Sequence, residues 1–157
     1  MKNITFEVCS LEEEKDNADR AQIETSFFKQ HNIRFSASAG NVEEEYLNNQ
    51  QKYQSFKDNL ESRWLVEASD FIERLIKFFH ENDNKIFKVK ICNYAALGFY
   101  DSAKNCVFIN LNCAPLDPVR IAKHELIHIM VQPFIDEYKI QHEQKEKIVN
   151  ALLEVLA

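Results

Sequence analysis

The sequence has few chain breakers, with two glycines and three prolines among its 157 residues. Such scarcity argues against a loop-rich architecture and favours long regular elements, most of them helical. Also missing is any C-x-x-C pair among the four cysteines, Cys9, Cys92, Cys106 and Cys113, which removes the usual thiolate metal sites and dithiol redox motifs. Cys92 and Cys106 lie among β-type residues, and all four read as reduced core thiols; a Cys9 thiolate capping a metal is the rarer alternative. No apolar run approaches the ~20 residues that a membrane span needs, and Met1-Lys2-Asn3-Ile4-Thr5-Phe6-Glu7 lacks the form of a signal peptide. A soluble, cytoplasmic protein with no membrane partner is expected. Positive charge is short as well: 19 Lys and Arg face 25 Asp and Glu, a net −6. No basic stripe offers itself to a phosphate backbone, so nucleic acid is not an expected partner.

What the sequence does have is apolar bulk, with 45% hydrophobic residues and twelve phenylalanines. A chain of this length reads as one domain, residues 1–157, burying roughly two-thirds of the surface it exposes unfolded. Ser10-Leu11-Glu12-Glu13 has the form of a capping box, which starts a helix expected over 11–31. Residues 1–41 form a helical segment without an assignable role, ending in the small-residue connector Ser36-Ala37-Ser38-Ala39-Gly40. The core then occupies 42–157. From Val42 to His80, Tyr53, Phe56, Leu60, Trp64, Phe71, Leu75 and Phe79 recur at steps that fit one long amphipathic helix or two joined by a kink.

Composition then changes. Ile86 to Ile91 alternates apolar and cationic residues, and Leu97–Tyr100 and Cys106–Leu111 add two more β-type runs. Asp101 to Asn105 between the last two favours a hairpin, so a small, mostly antiparallel sheet is expected. Asp117 as N-cap and Pro118 at the first position open a helix expected to end near Val131, before Gln132-Pro133. A last helix covers about 141–156. The fold class is α+β, with long helices backing the sheet.

The chemistry lies in His124-Glu125-Leu126-Ile127-His128. On a helix, a separation of four puts both imidazoles on one face, one turn apart, so both can meet one ion. Zn²⁺ takes neutral imidazole nitrogens, and a catalytic site adds one further protein ligand and keeps a position for water. Glu125 can reach that water without being a ligand and serve as general base, which is the set of actions that hydrolysis of a peptide bond requires. The bland reading is a polar stripe on a helix. Against it, Ile121, Ala122, Leu126, Ile127, Ile129 and Met130 surround the pair, and buried imidazoles and carboxylates need partners, which one zinc ion supplies together.

No third histidine follows at the H-x-x-G-x-x-H distance, so a carboxylate from the last helix is the better third ligand. Glu146 and Glu143 both qualify by chemistry. Glu146 shares a face with Val149, Asn150 and Leu153, which is the face expected to turn inward; Glu143 is the reserve. Tyr138, between the two ligand-bearing helices, is a candidate donor to a developing oxyanion, with His142 behind it, although packing is the commoner role for such a tyrosine. His31 and His80 fall near expected helix ends and receive no function.

The motif resembles that of the gluzincin branch of the zincin metallopeptidases, in which H-E-x-x-H on one helix is joined by a Glu from a downstream helix. The resemblance covers about the second half of the chain and is best to the small, single-domain minigluzincin type. It implies one zinc ion held by His124, His128 and Glu146, with Glu125 as base. It also implies a long helix backing a sheet whose edge strand lines a cleft, there to pair with an extended peptide or protein substrate. Asn150, four residues after Glu146, stands where the related E-x-x-x-D pattern has an Asp, and its amide oxygen can still accept from a zinc-binding imidazole. The competing expectation is a zincin-fold protein with latent or lost activity that acts as a binding module.

Overall fold

The computed structural model describes residues 3–157 and is an α+β fold. Strand β1 (Ile4–Val8) is followed by helices α1 (Leu11–Ile23) and α2 (Thr25–Gln30), a two-residue strand β2 (Phe35–Ser36), and helices α3 (Val42–Asn48), α4 (Gln50–Glu67) and α5 (Phe71–Phe78). Strands β3 (Phe87–Cys92), β4 (Ala95–Ala96), β5 (Gly98–Asp101) and β6 (Cys106–Asn110) come next, then α6 (Pro118–Glu137) and α7 (His142–Leu156).

The main sheet has the order β1-β3-β6-β5, while β2 and β4 form a separate two-stranded ladder. The sheet is mixed, which corrects the expectation of a mostly antiparallel one. β1 pairs with β3 and β3 with β6 in parallel, and only β5 with β6 is antiparallel. The hairpin expected around 101–105 is present: Asp101 accepts from the Lys104 amide at 3.3 Å, and Asn105 adopts the left-handed conformation that its short polar side chain tolerates. β6 returns between β5 and β3, however, and so runs parallel to β3. The N-terminal segment is not purely helical either, since Ile4–Val8 supplies the far edge of the sheet.

Alternation along the strands sorts the side chains onto two faces. Phe87, Val89, Ile91, Val107 and Ile109 join the main core with Trp64 and Leu60 of α4, Phe71 of α5, Leu126 of α6 and Val149 of α7. Cys92 and Phe99 face the other way, into a smaller cluster with Ala21 and Phe28 of α1 and α2. Lys90 on that second face pairs with Glu13, which also closes the capping box on Ser10. All four cysteines are buried and unpaired.

Three helices replace the one or two expected over 42–80. The break at Asn49 has a local cause: its side-chain amide donates to Glu45 O at 2.6 Å, an alternative to continued helix. The second break falls at Ala68-Ser69-Asp70, where the turn formers Ser69 and Asp70 precede α5. In contrast α6 runs six residues past Val131, straight through Pro133. A proline here forfeits one backbone bond, but buried Val131 and Ile135 on either side keep the helix docked. Among the described residues, no helix is long and apolar enough to cross a membrane.

Candidate metal centre

Helix α6 starts as its sequence dictates, with Pro118 in the first turn and Asp117 accepting from the Val119 amide at 3.2 Å. The Asp117 carboxylate is also held by Arg63 of α4 at 2.9 Å. Anchored this way and packed against the sheet, α6 turns His124, Glu125 and His128 toward β5 and α7. The two Nε2 atoms lie 3.0 Å apart. From α7, Glu146 brings Oε2 to 3.2 Å from His124 Nε2 and Oε1 to 3.3 Å from His128 Nε2.

These three residues form the one His/Cys/Asp/Glu group among the described residues whose ligand atoms converge tightly enough for a metal ion. The donor set fits a small divalent cation. Each imidazole Nε2 faces its own oxygen of Glu146, and with one donor atom taken per residue the three lie within 4.8 Å of one another, compact enough to surround one small cation such as tetrahedral Zn²⁺. The sequence-derived set His124, His128 and Glu146 is thus brought together. Glu143, the reserve ligand, lies exposed on α7 outside the group.

The electrostatics of the cluster follow from burial and from Glu146. Burial works against protonation of His124, yet its hydrogen bond to Glu146 and the nearby charges of Glu125 and Glu146 raise its pKa overall. His128, only 3% exposed, goes the other way: burial outweighs Glu146 and lowers it. Glu146 stays well below the usual carboxylate range because the two imidazole bonds overcome its partial burial.

Glu125 differs from all three. It is 8% exposed, and its carboxylate accepts no hydrogen bond from the described residues. Burial, helped by the Glu146 charge, raises its carboxyl to about 7 against the opposing charge of His124. Room for it comes from Gly98 at the start of β5: a Cβ there would sit 2.8 Å from Glu125 Oε1 and would collide with Ile121 as well.

Tyr100, two residues on and therefore on the same face of β5, stacks on His128 with centroids 4.9 Å apart and planes 7° from parallel. Its hydroxyl donates to Gln132 Oε1 at 2.6 Å and accepts from Lys145 Nζ at 3.3 Å. Gly98, Tyr100 and Lys145 belong to no motif, although strand alternation could have marked the first two. Tyr138, the oxyanion candidate, is instead the C-cap of α6, 68% exposed and absent from the cleft wall. Asn150 is exposed and bonds to neither imidazole, so it does not replace the missing Asp; His128 Nδ1 is buried without a partner.

A cleft of about 650 Å³ opens over the cluster. One wall is β5, the floor is α6 and α7, and the facing wall is the N-terminal segment with Arg20, Phe27, Phe28, His31 and Ile33. Phe27 and His31 reach His142 of α7, with ring centroids 5.6 and 4.8 Å away. The stretch 20–33 of the N-terminal segment thus gains a position, as one side of the cleft. A smaller pocket of about 280 Å³ lies on the other side of Glu125, between Leu97, Leu116, Ile121 and Leu153. Comparison with known proteins adds no relative: no family model matches the chain, no curated protein is similar to it, and no solved structure matches its fold.

Proposed function

We propose that the chain is a zinc-dependent peptidase of gluzincin type that hydrolyses bonds in an extended polypeptide. One observation carries the reading: two imidazole nitrogens and a carboxylate converge at 3.0 to 3.3 Å beside a buried carboxylate that has no protein partner, all facing one cleft. Structural polar groups in a protein interior are normally satisfied by neighbours. The Glu125 oxygens are not sealed in the interior but open onto the cleft, which suits a group kept for proton transfer.

A bound zinc ion supplies Lewis-acid polarisation of the peptide carbonyl and lowers the pKa of a water toward ~7. Glu125 takes the proton of the attacking water and passes it to the leaving nitrogen as the C–N bond breaks. Gly98 keeps that carboxylate free to move. Tyr100 holds the His128 ring by stacking, and Lys145 with Tyr100 supplies the polar groups beside the ligands, in the place read from sequence for Tyr138. The free edge of β5 offers backbone groups to the substrate.

Metal content tests the ligand set. Glu146→Ala is expected to weaken zinc binding by about 100-fold or more, whereas Glu143→Ala leaves it unchanged; equal losses, or the reverse ranking, would remove Glu146 as ligand. Glu125→Gln is expected to retain zinc and lose hydrolysis of an unfolded protein substrate. A second reading, a binding protein with lost activity, is favoured by the Phe27 and His31 contacts to His142 that bridge the cleft. Wild-type protein that holds zinc but hydrolyses nothing would select it.

A further inference from the structure

The edge of the sheet beside the cluster is only partly free, and the part already taken sets which end of a polypeptide fits. Asn110 donates from its amide to Leu97 O at 2.9 Å and from Nδ2 to Ala95 O at 3.2 Å. The carbonyls of Ala95 and Leu97 therefore face β6. Strand alternation turns the backbone groups of Ala96, Gly98 and Tyr100 to the opposite side. On that side Ala96 is occupied by β2, which runs antiparallel with Phe35 opposite Ala96 and Ser36 opposite Ala95. Gly98 and Tyr100 have no backbone partner beyond the β6 ladder among the described residues.

A peptide pairing with β5 lies end to end with β2. Antiparallel pairing is the more stable geometry and is the one β2 itself uses on this edge. A peptide in that sense runs from Tyr100 toward Gly98, so its C-terminal end meets Phe35. The position opposite Ala96 belongs to Phe35, and Arg34, which precedes it in the chain, leads into that position from the Leu97 side, so the edge open to a peptide ends near the residue opposite Gly98. The stop is firm, because the Phe35 ring packs 5.0 Å from that of buried Phe28, against the second core cluster. Glu125 lies directly against Gly98, which puts the proton-transfer group beside the last residues of the bound chain.

We infer that the cleft is closed at the C-terminal side of its ligand, so that it takes the free C-terminal end of a polypeptide and releases one or two residues from it. This rests on the peptidase reading for the hydrolytic step, in which water adds to the carbonyl carbon, the C–N bond breaks, and Glu125 moves the proton from the water to the leaving amine. The stop at Phe35 is a property of the chain's own backbone and can be tested by binding alone.

The test uses full-length, zinc-loaded Glu125→Gln protein and an extended peptide of about ten residues, enough to span a strand, fused to a folded carrier through either its N-terminus or its C-terminus. The fusion with a free C-terminus is expected to bind about tenfold tighter or better, the worth of two edge hydrogen bonds. Equal affinity, the opposite preference, or no binding by either fusion would overturn the inference. Wild-type protein is run in parallel with mass-spectrometric readout on the free-ended fusion and on a peptide held between two carriers. Shortening of the first by one or two residues with the second left intact supports the inference. Internal cleavage of the second overturns it while sparing the peptidase reading, and C-terminal binding without any cleavage supports it while removing that reading.

Discussion

Two buried glutamates, Glu14 on α1 and Glu125 on α6, receive opposite treatment. Glu14 is fully buried and accepts three hydrogen bonds: from the Tyr53 hydroxyl, from Asn17 Nδ2 at 2.9 Å and from the Asn93 amide at 2.8 Å. It ties the N-terminal helix to α4 and to the end of β3, and its oxygens have no freedom left for chemistry. Glu125, nearly as buried, has no donor among the described residues and borders the cleft. A buried carboxylate surrounded by donors is an architectural joint, whereas one whose oxygens face a cleft instead of donors is costly to keep charged and suits a chemical role.

Single substitutions should separate the two roles. Glu125→Gln is expected to reduce hydrolysis by about a thousandfold or more, in the range of a lost general base, while urea unfolding above pH 7 shifts toward greater stability, because no hydrogen bond is broken and the cost of burying the charge is removed. Glu14→Ala should do the reverse. It leaves two buried donors and the half-buried Asn93 amide unsatisfied, at roughly 1–3 kcal/mol for each buried one before relaxation, so a loss of about 3–5 kcal/mol is expected in the same unfolding measurement. A Glu125 variant that unfolds as readily as the Glu14 one would erase the distinction.

Acidity sharpens the same comparison. Burial raises the Glu14 pKa above its ordinary 4.5 even though its three hydrogen bonds pull it down. The folded chain then binds more protons at this site than the unfolded chain does, between the ordinary value and the raised one. The stability contributed by the protonated form is complete below the ordinary pKa, falls as pH rises through that window, and is level above it. Glu14→Gln should remove this slope, since the amide oxygen can still face the Asn93 N–H while its NH₂ meets a flipped Asn17 amide. Denaturation midpoints between about pH 4 and pH 8 measure it; an unchanged slope in the variant would assign the titration to another group.

The His124, His128 and Glu146 cluster was far more legible in the sequence than the sheet that frames it. His124, Glu125 and His128 are related by helical spacing alone, and Asp117-Pro118 announces the helix that carries them, so local geometry fixes the cluster. Glu146 needed one further step, the inward face it shares with Val149 and Leu153, and it does lie against both imidazoles. Sheet order had no such local signature. Ile4–Val8 alternates like a strand, but nothing in those five residues names β3 as its partner or makes the pairing parallel. The continuation of α6 past Pro133 is likewise decided by burial of Val131 and Ile135, a tertiary effect that overrides the breaker. The role of residues 1–41 was illegible for the same reason, because Phe27, His31 and Phe35 act only where the fold carries them across the cleft.

Tyr100 and Tyr138 give the smallest but most discriminating contrast between motif position and three-dimensional place. Tyr138 lies between the ligand helices in sequence, yet as the exposed C-cap of α6 it has no side-chain hydrogen bond among the described residues. Tyr100 comes from a strand with no motif, but its ring covers His128 and its hydroxyl joins Gln132 to Lys145. Tyr138→Phe is expected to leave stability within about 0.5 kcal/mol and hydrolysis unchanged, as for surface substitutions generally. Tyr100→Phe keeps the stacked ring and loses only the hydroxyl, at about 1 kcal/mol for a half-buried pair of hydrogen bonds. Hydrolysis should fall by a few-fold to tenfold, through kcat more than KM, since Lys145 loses the partner that holds it beside the ligands. A larger loss of hydrolysis for Tyr138→Phe than for Tyr100→Phe would restore the oxyanion role to Tyr138 and require α6 to unwind at its C-terminal end during turnover, which hydrogen exchange over Phe134–Tyr138 would detect.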